Sequence, residues 1–368
     1  MPNVPPWPAA EVGRTTWRTP ITVSSAVGTV IDFPALLAQT YTALFGAGVS
    51  PPQNSLSIYD ASGNLLPFGI RRYDGTTCCL DWQDDFAAAN KTVYLYWHPT
   101  LDPGSSLANP TGVYDAATRG VWHLEDAGPT TVADATSNAN HGTQSGGVAF
   151  GATGQVGKCC EWDGSDDFVN CGTDSSIDNL WQSGAALEAW IYPETAGESG
   201  GGCIASKSNN LLRCATVTSN LGLTFRAEWS TAGQWLTTSQ VGPFNAWYHV
   251  MISYLKTLTA NEPTLWVNGS PVALTRTNTP SGSATSDAAA NLLLGDAPAA
   301  NRSFDGYLDE IVYHASLRSQ AWANARYLFG LGTPITIGTR EAYAAAGARL
   351  FTELRHRMFG GPGMPGRH

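Results

Sequence analysis

Cleavage of a glycoside with retention needs two carboxyl groups held about 5–5.5 Å apart. Alternation along a strand brings residues i and i+2 to one face. Two positions after Glu188 stands Trp190, not a second acid. Asp309 and Glu310 are adjacent, so regular alternation sends them to opposite faces. His123, His141 and His249 are scattered, with no HExxH or nucleophile-elbow context, and read as structural histidines. No catalytic residue is assigned. A hard cation needs several oxygen ligands, and residues 134–142 (DATSNANHG) offer them in a turn-prone loop. The competing reading has Asp134 capping a turn through backbone amides. Residues 163–167 (DGSDD) form a further acidic turn, read mainly as solvated. Exposed aromatic rings can stack on sugars, and Trp229, Trp235 and Trp247 are the candidates. The competing and favoured reading of each is packing in a Trp-rich core or an intersubunit contact. Trp190 and Trp266 sit inside strong strand patterns and are assigned to the core.

These groups must be positioned by an unusual chain. Its 368 residues include 39 Gly, 22 Pro and 13 Trp, and only 14% are charged, against about 25% in ordinary soluble domains. A net charge of −10 argues against general nucleic-acid binding. No run approaches the roughly 18 apolar residues of a membrane span. The opening segment MPNVPPWPAAEVGRTTW has neither a basic nor an apolar signal-peptide region, so Sec-type export is not expected. Seven cysteines (Cys78, Cys79, Cys159, Cys160, Cys171, Cys203 and Cys214) include no CxxC, which sets aside zinc-ribbon and thioredoxin sites. They read as buried thiols, with disulfides formed in an oxidising medium as the alternative.

Short apolar runs between Gly, Asn, Asp and Ser predict an all-β chain. Residues 1–11 form a Pro-rich arm. Residues 12–98 form a first β-rich domain with strands at 16–23, 55–59 and 91–97 and a short helix at 35–45. Residues 99–116 read as a linker. Residues 117–330 give strands at 120–124, 158–162, 186–192, 222–229, 246–255, 264–267 and 307–313, spaced as in a two-sheet sandwich. Asn268-Gly269 between two of these runs predicts a type I′ hairpin. Within 331–368, Tyr343, Ala346, Leu350, Leu354 and Met358 recur at helical steps beside Phe351. They predict an amphipathic helix over residues 340–359 and a flexible basic tail. From Arg340 onward five Arg stand against two Glu, a net of +3 that leaves −13 for the rest.

Two resemblances follow from these blocks. TTWRTPITV, DFPALLAQTYTALF, NSLSIYDASGNLLPFGIRRYD and KTVYLYWHPT, in that order over residues 13–100, resemble the module of unknown function numbered 2341 (DUF2341), found before lectin-like domains in prokaryotic surface and phage proteins. GVWHLEDAGPTTVADATSNANHGT, GKCCEWDGSDDFVNCG, ALEAWIYPE, WYHVMISY, LWVNGSPV and FDGYLDEIVYHASLRSQAWANARY resemble the concanavalin A-like, laminin G-like (LamG) jelly roll over residues 117–330. Cys159, Cys160 and Cys171 depart from it, standing where branched or small apolar residues are usual. Similar domains hold a calcium ion between the first loop and the Asp of the closing Gly-x-x-Asp-Glu block. The resemblance thus implies Asp134 and Asp309 as ligands of a structural calcium. It also implies a carboxylate triplet, Glu-x-Asp-x-x-Glu, in the enzymes of that superfamily, and none is present here.

The expected function is therefore noncatalytic: a bacteriophage virion protein, as capsid decoration or tail or fibre component, with a lectin-like surface domain. Its partners would be other virion proteins or itself, through the terminal arms and Leu350, Phe351, Leu354 and Met358. A cell-surface glycan is the further possible ligand. A secreted or cell-surface carbohydrate-binding lectin is the alternative, and a glycoside hydrolase the third reading.

Overall fold

The structure is a computed structural model and describes residues 7–128 and 130–343. Leu350, Phe351, Leu354 and Met358 lie outside the described residues. In the first unit, Trp17–Val23 pairs antiparallel along its length with Lys91–Trp97, which in turn pairs with Ser57–Tyr59. Both long strands are rich in β-branched and aromatic residues, which suit a half-buried pleated surface. Trp17 stacks on Trp97 across the ladder at 5.7 Å. A second sheet has Thr77–Phe86 between Val30–Thr40 and Phe68–Tyr73.

The helix expected over residues 35–45 is mostly strand: Val30–Thr40 is extended and only Tyr41–Phe45 is helical. Five consecutive residues, Phe33 to Leu37, are buried. A strand covered on both faces loses its alternation and cannot be told from a helix by period. Thr40 then caps the short helix by accepting from the Ala43 amide at 3.2 Å.

The second unit is a sandwich of two antiparallel sheets. One sheet runs Ala149–Thr153, Lys158–Asp163, Asp305–His314, Ala185–Pro193, Tyr248–Tyr254, Thr264–Val267, Ser270–Val272, with Thr118–Trp122 also on Asp305–His314. The other centres on Cys203–Lys207, Asn210–Val217, Asn220–Ala227 and Gly233–Thr237. Leu187, Ala189 and Ile191 from the first sheet meet Leu212, Phe225 and Trp235 from the second in one apolar core. Alternation sends every second residue of these strands outward. Asn268 and Gly269 both have positive φ, 51° and 73°, and close the expected hairpin. Among the described residues no helix is long and apolar enough to cross a membrane. All seven cysteines are free and buried.

The two units share a core. Helix Gln320–Gly330 lays Trp322 and Phe329 against Phe33 of the first unit, at 4.9 and 5.5 Å between rings. Met251 and Trp266, from the sandwich, join the same apolar cluster. Burying each such side chain contributes about 1.5–3 kcal/mol. Residues 99–116 are laid along the first unit rather than hanging between units. Val113 is fully buried, and the Asn109 amide donates to the Phe68 carbonyl at 2.8 Å.

The chain then returns to the first sheet. Ile335–Ile337 and Glu341–Ala342 both pair with Trp17–Val23. Hence the helix expected from residue 340 does not begin there; Glu341–Ala342 is extended. Its Glu341 carboxylate accepts from the Arg18 guanidinium at 2.7 Å, which fixes this last strand. The N-terminal arm is also anchored where described: Trp7 packs edge-on against Tyr96, and buried Glu11 accepts from Ser57 and Tyr59.

Candidate functional site

A concavity of about 500 Å³ lies on the outer face of the second sheet of the sandwich. Register builds it. Leu211 stands opposite Arg226, and Arg226 opposite Gln234, in one cross-strand row. Arg213 lies two residues from Leu211 and so shares its face. The intervening Leu212 and Cys214 point into the core. A loop carrying Ala297, Pro298, Ala299, Asn301 and Arg302 forms the opposite wall, and Asn209 closes one end. Arg302 is steadied by donating to the Ser199 carbonyl at 2.8 Å, and Arg226 reaches Asn209 Oδ1 at 3.4 Å.

Among the described residues no carboxylate lies within 4.0 Å of Arg213, Arg226 or Arg302. The Nε of Arg213 is buried without a hydrogen-bond partner. Burial, together with the charges of Arg302 and Arg226, pulls the Arg213 guanidinium below its ordinary value. The cleft thus gathers three arginines in a chain of net charge −10, with Arg213 feeling the charge of both others.

The opposite sheet carries a charge network on its outer face, beneath the first unit. Leu308, Ile311 and Tyr313 all point into the sandwich core. Leu308 and Ile311 are three apart, so one residue is extra. It is Glu310, with φ of 53°, where the pairing with Ala185–Pro193 slips. This bulge corrects the expectation that Asp309 and Glu310 face opposite sides: both point away from the core. Arg71 bridges Glu310, Glu125 at 3.0 Å and Asp81 at 3.4 Å. Arg326 reaches Glu188 at 2.9 Å and Glu310 at 3.6 Å. His123 contacts Glu310 at 3.0 Å, and His314 contacts Glu188 at 3.4 Å.

Burial alone would raise Glu310, but Arg71, His123 and Arg326 outweigh it and hold it below the usual carboxylate range. Asp309 goes the other way: burial first, then the charge of Glu310, push it well up. Burial and Arg318 lower His314 to about 4. The network is closed apart from a recess of about 180 Å³ lined by Arg71, His123, Glu125, Asp126, Ala133 and Ala135. Of the two acids lining it, Glu125 is tied to Arg71 and Asp126 accepts from the Ala133 amide at 3.2 Å; the Arg71 pairs with Glu125 and Glu310 tie the first unit to the sandwich.

The structure places the named residues differently from expectation. Trp235 is fully buried, packed on Phe225 and Tyr254, and Trp229 is 5% exposed; neither can stack on a sugar. Their strands turn these rings into the core, which corrects their assignment to carbohydrate binding. Trp247 is half-buried beside Tyr192 at 5.6 Å and Tyr307 at 6.5 Å.

Asp134 uses both oxygens on protein donors: the amides of Val121, Thr136 and Asn140 and the Thr136 hydroxyl, all at 2.8–2.9 Å. Asp309 accepts from the Val156 amide at 2.8 Å and is otherwise held toward the neutral acid. These donor sets fit a turn anchor and a buried acid, not a calcium pair. Asp163, Asp166 and Asp167 cluster within 4.8 Å, with Asp163 and Asp166 exposed, in a turn closed by the Ser165 amide on Asp163.

Sequence reasoning did not single out Arg213, Arg226, Gln234 or Arg302. The available signal was parity: Leu211 and Arg213 alternate with Leu212 and Cys214, and Arg226 follows Phe225.

No curated protein sequence matches the chain. Domain 4 of AbnA, a GH43 extracellular arabinanase from Geobacillus stearothermophilus solved with arabinotriose, is similar at 16% identity and a TM-score of 0.42, over 56% of this chain and 96% of that one. The binding domain of Paraclostridial Mosquitocidal Protein 1 gives 12% and 0.44, over 57% and 52%. The receptor binding domain of botulinum neurotoxin mosaic serotype C/D gives 13% and 0.42, over 57% and 50%. The chain thus spans about half the length of these two toxin domains. Residues 163–323 match the family model of the concanavalin A-like lectin/glucanases superfamily, and the sandwich is a concanavalin A-like fold.

Proposed function

We propose that the chain is a noncatalytic saccharide-binding protein of a bacteriophage particle, as capsid decoration or as a tail or fibre component. The observation that carries the binding reading is the open polar cleft on the outer sheet face, built from Arg213, Arg226, Gln234 and Asn209. The noncatalytic reading is supported by the engagement of Glu125, Glu188 and Glu310 with Arg71 and Arg326. Glu188 and Glu310 are both held below the usual carboxylate range, so neither carries a proton to give as a general acid. The particle setting is supported by the resemblance of residues 13–100 to phage and surface modules. Seven buried free thiols also suit folding in a reducing compartment before release. Attachment to the particle, or to further copies, is assigned to the terminal arms with Leu350, Phe351, Leu354 and Met358.

The test is incubation of the full chain with a polysaccharide panel, read both as binding and as new reducing ends. Binding without cleavage is expected; cleavage would make it a glycoside hydrolase. Mass spectrometry of purified particles should find the chain there. Its recovery only from the producing cell's surface would favour a cell-surface lectin.

A further inference from the structure

We propose that the arginine cleft recognises the oxyanion of an acidic saccharide, a sugar carrying a carboxylate or sulfate. This rests on the saccharide-binding reading and adds the ligand class. Three observations converge. First, the half-buried Arg213, Arg226 and Arg302 line one cleft and have no carboxylate partner among the described residues. A guanidinium offers five N–H donors and no acceptor, so only acceptors can satisfy it. Second, the buried Nε of Arg213 lacks a partner. Such an orphan costs stability unless a ligand oxygen meets it. Third, the rest of the lining suits a sugar rather than a bare ion. The Asn209 and Gln234 NH2 groups already donate to Glu228 and Thr277, which leaves the Gln234 Oε1 to accept from a sugar hydroxyl, and Leu211 and Pro298 offer apolar contact to ring C–H groups.

The cleft contains no aromatic ring, so a neutral sugar finds no stacking platform there. Charge must therefore supply the affinity, through forked hydrogen bonds of Arg to a planar or tetrahedral oxyanion. At about 500 Å³ the space lies within the ordinary range of small-ligand sites, roughly 300–1,000 Å³.

The experiment is titration calorimetry of the full chain with oligogalacturonate, chondroitin sulfate, neutral dextran oligomers and inorganic sulfate alone. The variants Arg213→Gln and Arg226→Gln are compared, each first shown to melt like the parent. If Arg213→Gln fails to fold, Arg226→Gln carries the test. Binding of oligogalacturonate or chondroitin sulfate is expected, weakening as salt rises, with dextran inert. Each variant should lose about ten- to a hundredfold in affinity. Preference between the two acidic probes tells carboxylate from sulfate.

Inorganic sulfate binding as tightly as either oligosaccharide would overturn the saccharide assignment, leaving an anion site. Dextran binding that both variants retain would overturn this inference but keep the saccharide reading. The same holds for acidic-glycan binding lost in Trp247→Ala and kept in Arg226→Gln. Failure to bind any saccharide would overturn both.

Discussion

At Asp309 and Glu310 two adjacent acids are driven in opposite directions by one environment. Glu310 is held ionised by Arg71, so removing its charge takes one buried carboxylate from Arg71 and one from Arg326, leaving Glu125, Asp81 and Glu188 to pair them. Glu310→Gln should cost about 3–5 kcal/mol in urea unfolding at neutral pH. Asp309→Asn copies the neutral acid that burial and Glu310 favour, and should be neutral or stabilising above the ordinary aspartate pKa of about 4. The reverse order would contradict the assignment. His314 provides a pH signature. Its folded pKa of about 4 lies below the ordinary 6.5. Between those values the unfolded chain takes up a proton that the folded chain refuses, so stability falls as pH falls through that window. The full effect is about 3 kcal/mol. His314→Gln should lose this slope, and the melting-temperature gap between parent and variant should narrow from pH 7 to 4.5. A gap that widens would place the proton on folded His314.

Helix Gln320–Gly330 is the element that joins the units. Phe329, 2% exposed, meets Phe33, Phe86 and Trp82. Phe329→Ala should cost about 3–5 kcal/mol in chemical denaturation. A loss typical of a surface site would mean that the helix does not hold the interface. Much at this scale was legible in the sequence. Lys91–Trp97 and Thr264–Val267 announce themselves by β-branched and aromatic residues, and Asn268-Gly269 by its need for positive φ. Val30–Thr40 was not legible, because its burial on two faces erases the alternation. The facing of Glu310 was hidden too: a bulge is a property of pairing with Ala185–Pro193, not of the residues DEI. Likewise the cleft joins Arg213, Arg226, Gln234 and Arg302 from three strands and a loop. Only the pairing of the strands and the path of the loop make them neighbours; in sequence Arg213, Arg226 and Gln234 each stand between apolar or small residues.

Among the described residues the two units share one apolar cluster rather than hanging as beads on a string. Met251, Trp266 and Trp322 of the sandwich lie in the apolar cluster of the first unit, and the chain returns through Ile335–Ile337 to close its sheet. Calorimetry of the full chain should give a single transition, and residues 117–330 alone should aggregate through the uncovered face. Two separable transitions would refute the shared core. With the first unit covering one sheet, the other sheet is left to meet a ligand at the arginine cleft. Hydrogen–deuterium exchange with and without oligogalacturonate tests binding there most directly. Protection should rise on Asn210–Val217, Asn220–Ala227 and the loop around Arg302, with the segments around Arg71, His123 and Glu125 unchanged. Protection confined to the Arg71–His123 recess, with the arginine strands unchanged, would contradict it.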